Sequence, residues 1–134
     1  EGKELVSVQL YDVATKKWEG GTDMKTARSD HGMVFLPGKG GALGTVMVAG
    51  GNDVLGSTKS VLLYDMATGL WTDGTDMKTA RYGHGMVFLP GVGVNGTVMV
   101  AGGEYEGKEL VSVQLYDVAN GMKAIQCGCV GNSD

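Results

Sequence analysis

Short apolar runs separated by glycine clusters follow one another along the chain, the pattern with which an all-β protein marks strands and turns. Residues 33–36 form one such run, closed by Pro37 and Gly38, and predict a strand, a. Residues 45–49 are apolar on both faces, end at Gly50 and Gly51, and predict strand b. Residues 60–64 predict strand c. Its earlier copy at 6–10, Val-Ser-Val-Gln-Leu, alternates apolar and polar as a half-buried strand does. Residues 65–69 make a turn into a short strand d around Trp71.

These elements repeat. Residues 1–14 recur unchanged at 106–119, 22–28 at 75–81, 31–38 at 84–91, and 45–51 at 97–103. The offset changes by one residue between Gly38 and Thr45, where a surface hairpin tolerates an insertion. Four short strands in a unit of 52 to 53 residues predict one blade of a β-propeller.

The same residues carry a family resemblance. A double glycine follows strand b at Gly50-Gly51 and Gly102-Gly103. Tyr-Asp then precedes a tryptophan six residues past the aspartate, as Tyr11-Asp12 with Trp18 and Tyr64-Asp65 with Trp71. Met24, Arg28 and His31 lead into the next unit, and Met77, Arg81 and His84 repeat the spacing. Over about residues 1–120 the chain resembles the kelch repeat rather than a WD40 array. The third copy departs from the pattern, with Asn120 in place of threonine and Lys123 in place of tryptophan, so the last strand d is left open.

Each repeated residue has a structural expectation. The double glycines let the chain turn or pack where a Cβ would clash. Asp and Thr of Asp-x-x-Thr hydrogen-bond the backbone of the c–d turn. Trp18 and Trp71 wedge between neighbouring blades, and Arg28 and Arg81 pair with carboxylates or carbonyls between blades. His31 and His84 hold equivalent places. They invite a metal or catalytic reading, but one histidine per blade makes no metal site without further ligands. The eight methionines lie mostly within the strands as core filler. Asn95-Gly96-Thr97 is both a glycosylation sequon and a hairpin turn, and the turn is favoured.

Composition narrows the class. With 43% hydrophobic and 19% charged residues the chain is globular, and its 24 glycines show no collagen period. A net charge of −4 argues against a nucleic-acid partner, and no apolar run is long enough to predict a membrane-spanning helix. Cys127 and Cys129 alone lack the four ligands zinc takes and are read as free thiols in a tail. No targeting segment is legible. A chain opening at Glu1 is read as a section or a processed form, so the compartment stays open.

The expected organisation is a partial blade at 1–27 (strands c and d), a full blade at 28–80, a second at 81–126, and a tail at 127–134. That gives about two and a half blades, where a closed ring takes about four to eight. The chain is therefore cut from a longer propeller, completes a ring by homo-oligomerisation, or stacks openly. In the resembled family, ligands bind the face built from b–c and d–a loops. That implies a non-catalytic scaffold binding a protein or peptide partner, with no cofactor and no metal. The loop residues at which the copies differ are the candidates: Ser29, Asp30, Asn52, Asp53, Tyr82, Glu104 and Tyr105. They form an acidic set with two aromatics, suited to a basic or polar peptide. Two alternatives stand beside this. A carbohydrate-binding propeller would use Tyr82 and Tyr105 as stacking platforms. A fragment resembling galactose oxidase would need a Cys–Tyr pair and more than two histidines.

Overall fold

The computed structural model describes residues 2–122. Fourteen strands run through them: β1 (Gln9–Asp12), β2 (Lys17–Gly20), β3 (Gly32–Leu36), β4 (Thr45–Ala49), β5 (Asn52–Asp53), β6 (Gly56–Ser57), β7 (Val61–Asp65), β8 (Trp71–Asp73), β9 (Gly85–Leu89), β10 (Thr97–Ala101), β11 (Glu104–Tyr105), β12 (Lys108–Glu109), β13 (Val113–Asp117) and β14 (Gly121–Met122). They form two antiparallel four-stranded sheets in the orders β3-β4-β7-β8 and β9-β10-β13-β14. A separate β1-β2 hairpin precedes them. Two small ribbons, β5-β6 and β11-β12, rise from the b–c connections. A meander of four short strands is the build of a propeller blade, so the all-β partial propeller expected from the repeats is what forms.

The apolar character of strand b on both faces has a plain cause: β4 is covered on both sides. Met47 and Ala49 join Leu36 and Val61 in a core shared with Val98, Val100 and Tyr116 of the next unit and with Met77 of the connection between β8 and β9. Alternate residues point the other way. Val46 and Val48 pack with Met24, Leu62, Tyr64 and Trp71, beside Val8. Strands β3 and β9 lie side by side at the seam between the two sheets.

The c–d turns follow the sequence expectation. The Asp12, Asp65 and Asp117 carboxylates accept the backbone N–H groups of Ala14 (2.8 Å), Ala67 (2.8 Å) and Ala119 (2.9 Å). In the third copy, Asn120 supplies its own amide to Asp117, at 3.2 Å. The last strand d begins as β14, pairing Met122 with Tyr116. Its continuation, and both cysteines, lie outside the described residues.

Several expectations are corrected. The early strand c lies at Gln9–Asp12 and not at 6–10. Having no b strand beside it, β1 pairs with β2 alone, while the Val6 and Val8 carbonyls accept Met24 N (2.8 Å) and Gly21 N (2.9 Å). Trp71 wedges as expected, 9% exposed, edge-on to Tyr64 and donating Nε1–H to Thr22 O at 2.8 Å. Trp18, in the same motif, is 65% exposed because no sheet among the described residues stands beside it. Pairing between blades was expected of the arginines, and the bonds of Arg28 to Gly50 and Ser60 and of Arg81 to Gly102 and Ser112 lie within one unit. The Asn95-Gly96 pair closes a longer loop joining β9 to β10, not a two-residue hairpin, and the Thr97 hydroxyl donates to Val92 O at 2.9 Å.

Candidate functional site

One edge of the sheets carries the loops named as candidates, and an arginine fixes each. Arg28 Nη1 donates to Gly50 O (3.0 Å) and Ser60 O (3.3 Å), and Nη2 donates to Ser60 Oγ (2.7 Å). Those groups flank the base of the β5-β6 ribbon. Arg81 repeats the clamp on Gly102 O (2.9 Å), Ser112 O (3.2 Å) and Ser112 Oγ (2.9 Å), beneath β11-β12. Burial pushes the Arg28 guanidinium pKa down, and the nearby Asp53 charge partly offsets this.

Above each clamp the two loop types are joined by backbone. Ser29 and Asn52 exchange N–H···O bonds of 2.9 and 2.8 Å, and Tyr82 and Glu104 exchange bonds of 3.0 and 2.9 Å. The rims of the two units are also tied together, since Gly83 N donates to Asp30 O at 2.8 Å. Asp30 itself sits in the left-handed region at φ 53°, where its equivalent in the next unit is Gly83.

The structure gathers part of the candidate set. Asn52, Tyr82 and Tyr105 line one open cleft of about 520 Å3, together with Leu55, Ser57 and Glu106. Glu104 is held beside it through its bridge to Tyr82. The neighbouring Glu106 carboxylate pushes the Tyr105 pKa up. Asp53 is engaged locally, where its carboxylate accepts Leu55 N at 2.8 Å and shapes the ribbon tip. Ser29 lies apart, on a second groove of about 470 Å3 on the far side of the first sheet, with His31, Met33, Val46 and Trp71.

Leu55 and Val54 fall outside the candidate set, yet they are 93% and 82% exposed at the tip of the ribbon bordering the cleft. The sequence does carry a signal for them. An apolar pair stands in a turn where the other copy has Glu106-Gly107.

Comparison with known proteins bears on the repeat. No family model matches the chain. Kelch-like protein 40 of Xenopus laevis is 31% identical over 122 residues, 88% of this chain and 18% of that protein. Kelch-like protein 7 of Rattus norvegicus is 33% identical over 70 residues, 52% of this chain and 11% of that protein. The chain belongs to the kelch-repeat family. It spans about a fifth of the length of the Kelch-like protein 40 it matches.

The histidine of the kelch pattern sits below the rim. His84 Nε2 lies 3.0 Å from Ala49 O across the seam, which makes it the donor in the neutral ring. Its Nδ1 is buried without a hydrogen bond among the described residues. Burial pushes the pKa of His84 down, the Ala49 bond opposes this, and Arg81 and His31 add to the depression. His31 is lowered by burial and by Arg28, against Asp30. No group of three or more metal-binding side chains occurs among the described residues.

A pH dependence is expected from these two histidines. Both folded-state pKa values lie below the ordinary 6.5, so in acid the unfolded chain takes up protons first. The stabilisation is whole above 6.5 and is lost as pH falls through 6.5 toward the lowered folded values. Melting temperature is expected to drop between neutral pH and pH ~5, and His84→Gln is expected to flatten that slope. Thermal melts across this range check it. An unchanged slope in the variant would remove His84 from the account.

Proposed function

We propose that this kelch-repeat chain is a non-catalytic protein-interaction module whose rim cleft receives a peptide carrying a basic side chain. The observation that carries this is the convergence of Tyr82, Tyr105 and Asn52 from three different loops on one cleft edged by Glu106. Two tyrosines supply broad contact area at small entropic cost, and Leu55 adds an apolar wall. Glu104 and Glu106, with a chain charge of −4, favour a cationic partner. Among the described residues the cleft lining is Asn52, Leu55, Gly56, Ser57, Tyr82, Tyr105 and Glu106, and Ser57 Oγ lies 3.3 Å from Asn52 Oδ1, a set that suits binding better than catalysis. Ser29, Asp30 and Asp53 belong to the proposal as supports of the rim rather than as contacts. The proposed units are 28–80 and 81–126, with 1–27 a partial unit and 127–134 a tail.

Because both tyrosines face the same cleft, sugar stacking is the second reading. A random peptide library and a glycan panel, each probed with the 134-residue chain, separate the two. Basic peptides are expected to be selected, with affinity falling about tenfold or more for Tyr82→Ala/Tyr105→Ala while the melting curve is retained. Selection of glycans instead, or peptide binding indifferent to the double substitution, would overturn the proposal.

A further inference from the structure

The described residues carry both halves of an interface that they form once among themselves. At the seam between the two sheets, Leu36, Met47, Ala49 and Val61 of the first sheet cover Val98, Val100 and Tyr116 of the second, with Met77 of the connection from β8 to β9 among them. The second sheet offers the same residue types on its outer face: Leu89, Met99, Ala101 and Val113, each only part-buried. The first sheet offers the complementary set toward the groove. There Met33 is 58% exposed and Phe35 49% exposed, whereas their equivalents Met86 and Phe88 are part-buried in the seam. Docking the second sheet of one copy into the groove of another continues, residue for residue, the interface already present.

Such docking brings the β1-β2 hairpin of one copy to the place held by β13-β14 of the other. These segments compete for the same edge of β10, and they are sequence twins: residues 1–14 equal residues 106–119. Pairing β1 with β10 in place of β13 therefore exchanges identical side chains, and Ser7 replaces Ser112 as the acceptor for Arg81. The following strand is not equal. The hairpin of β1 and β2 ends in Trp18, already against Tyr11 with ring centroids 5.1 Å apart. Among the described residues β14 pairs at Gly121 and Met122, and the sequence has Lys123 where the tryptophan of the motif belongs. In the exchanged blade Trp18 takes the place that Trp71 holds in the first sheet, facing the Thr75 carbonyl as Trp71 faces Thr22.

We infer that a second copy of this chain exchanges strands with the second sheet. Residues 1–20 of one copy add as strands c and d to β9-β10 of the next and displace its residues 106–122. Exchange of an identical element costs little, and the added Trp18 contact and the covered groove favour it. Repeated head to tail, the contact closes a ring of about two to four copies, giving four to eight blades.

Analytical ultracentrifugation of the full chain, from micromolar to submillimolar concentration, is expected to show concentration-dependent assembly ending in one closed species. Hydrogen exchange of the assembled form is expected to protect amides in Gln9–Asp12 on β10, and to leave Val113–Asp117 less protected than in the monomer. Trp18→Lys, at an exposed site of the monomer, is expected to weaken assembly about tenfold or more with the monomer melt retained. A strict monomer, an assembly that keeps Val113–Asp117 protected, or an unaffected Trp18→Lys would each overturn the inference.

Discussion

Replacing Arg81 with alanine is expected to lower the unfolding free energy by about 3–5 kcal/mol, enough to threaten folding of a domain with ordinary stability. The side chain is fully buried and donates to Gly102 O, Ser112 O and Ser112 Oγ. Alanine removes these hydrogen bonds, leaves the Gly102 and Ser112 carbonyls without that donor, and opens a cavity the size of a guanidinium. Arg81→Lys keeps the charge, but a single ammonium cannot reproduce the planar fork that spans strands b and c. It is expected to recover less than half of the loss. Arg28→Ala removes the same three contacts beside the open groove, where water can reach the freed carbonyls, and is expected to cost less. Urea denaturation of the three variants checks the order. An alanine variant as stable as the parent would mean that the clamp does not support the rim.

Gly50→Ala is expected to destabilise by about 3 kcal/mol, and Gly102→Ala at the equivalent position by only about 1 kcal/mol. Both glycines lie in the left-handed region, at φ 69° and 71°, so the backbone penalty is shared. They differ in surroundings. A Cβ on Gly50 would stand 2.6 Å from Arg81 O and 2.7 Å from His84 Cε1, across the seam. A Cβ on Gly102 would meet nothing nearer than Leu110 O at 3.9 Å. The Arg81 carbonyl cannot move aside, because it also accepts Gly51 N at 2.8 Å. Denaturation at low protein concentration isolates the seam. Equal losses for the two variants would show that the sheets do not approach as described.

Much of the fold is legible in the sequence because the repeat supplies two readings of each element. The apolar run at 45–49 is β4 itself, and the runs for strands a and c fall within one residue of β3 and β7. The β5-β6 and β11-β12 ribbons read as loops, since two residues are too few to show a period. The candidate site is legible in part. Disagreement between copies points to Asn52, Tyr82 and Tyr105. It does not reveal that Asp53 is spent on its own turn, or that Leu55 walls the cleft.

The residues of one repeat suffice to specify a blade: the order of four strands, the Asp-capped c–d turn, and the arginine leading into each sheet. These depend on contacts within one unit, and one unit carries all the residues they need. The fate of identical motifs in unlike surroundings depends instead on how the sheets pack. Trp18 is exposed and Trp71 buried, Gly50 is enclosed and Gly102 open, and His84 spans a seam while its counterpart His31 faces a groove. Burial belongs to a pair of neighbouring sheets, and a repeated motif does not record which copy has a neighbour.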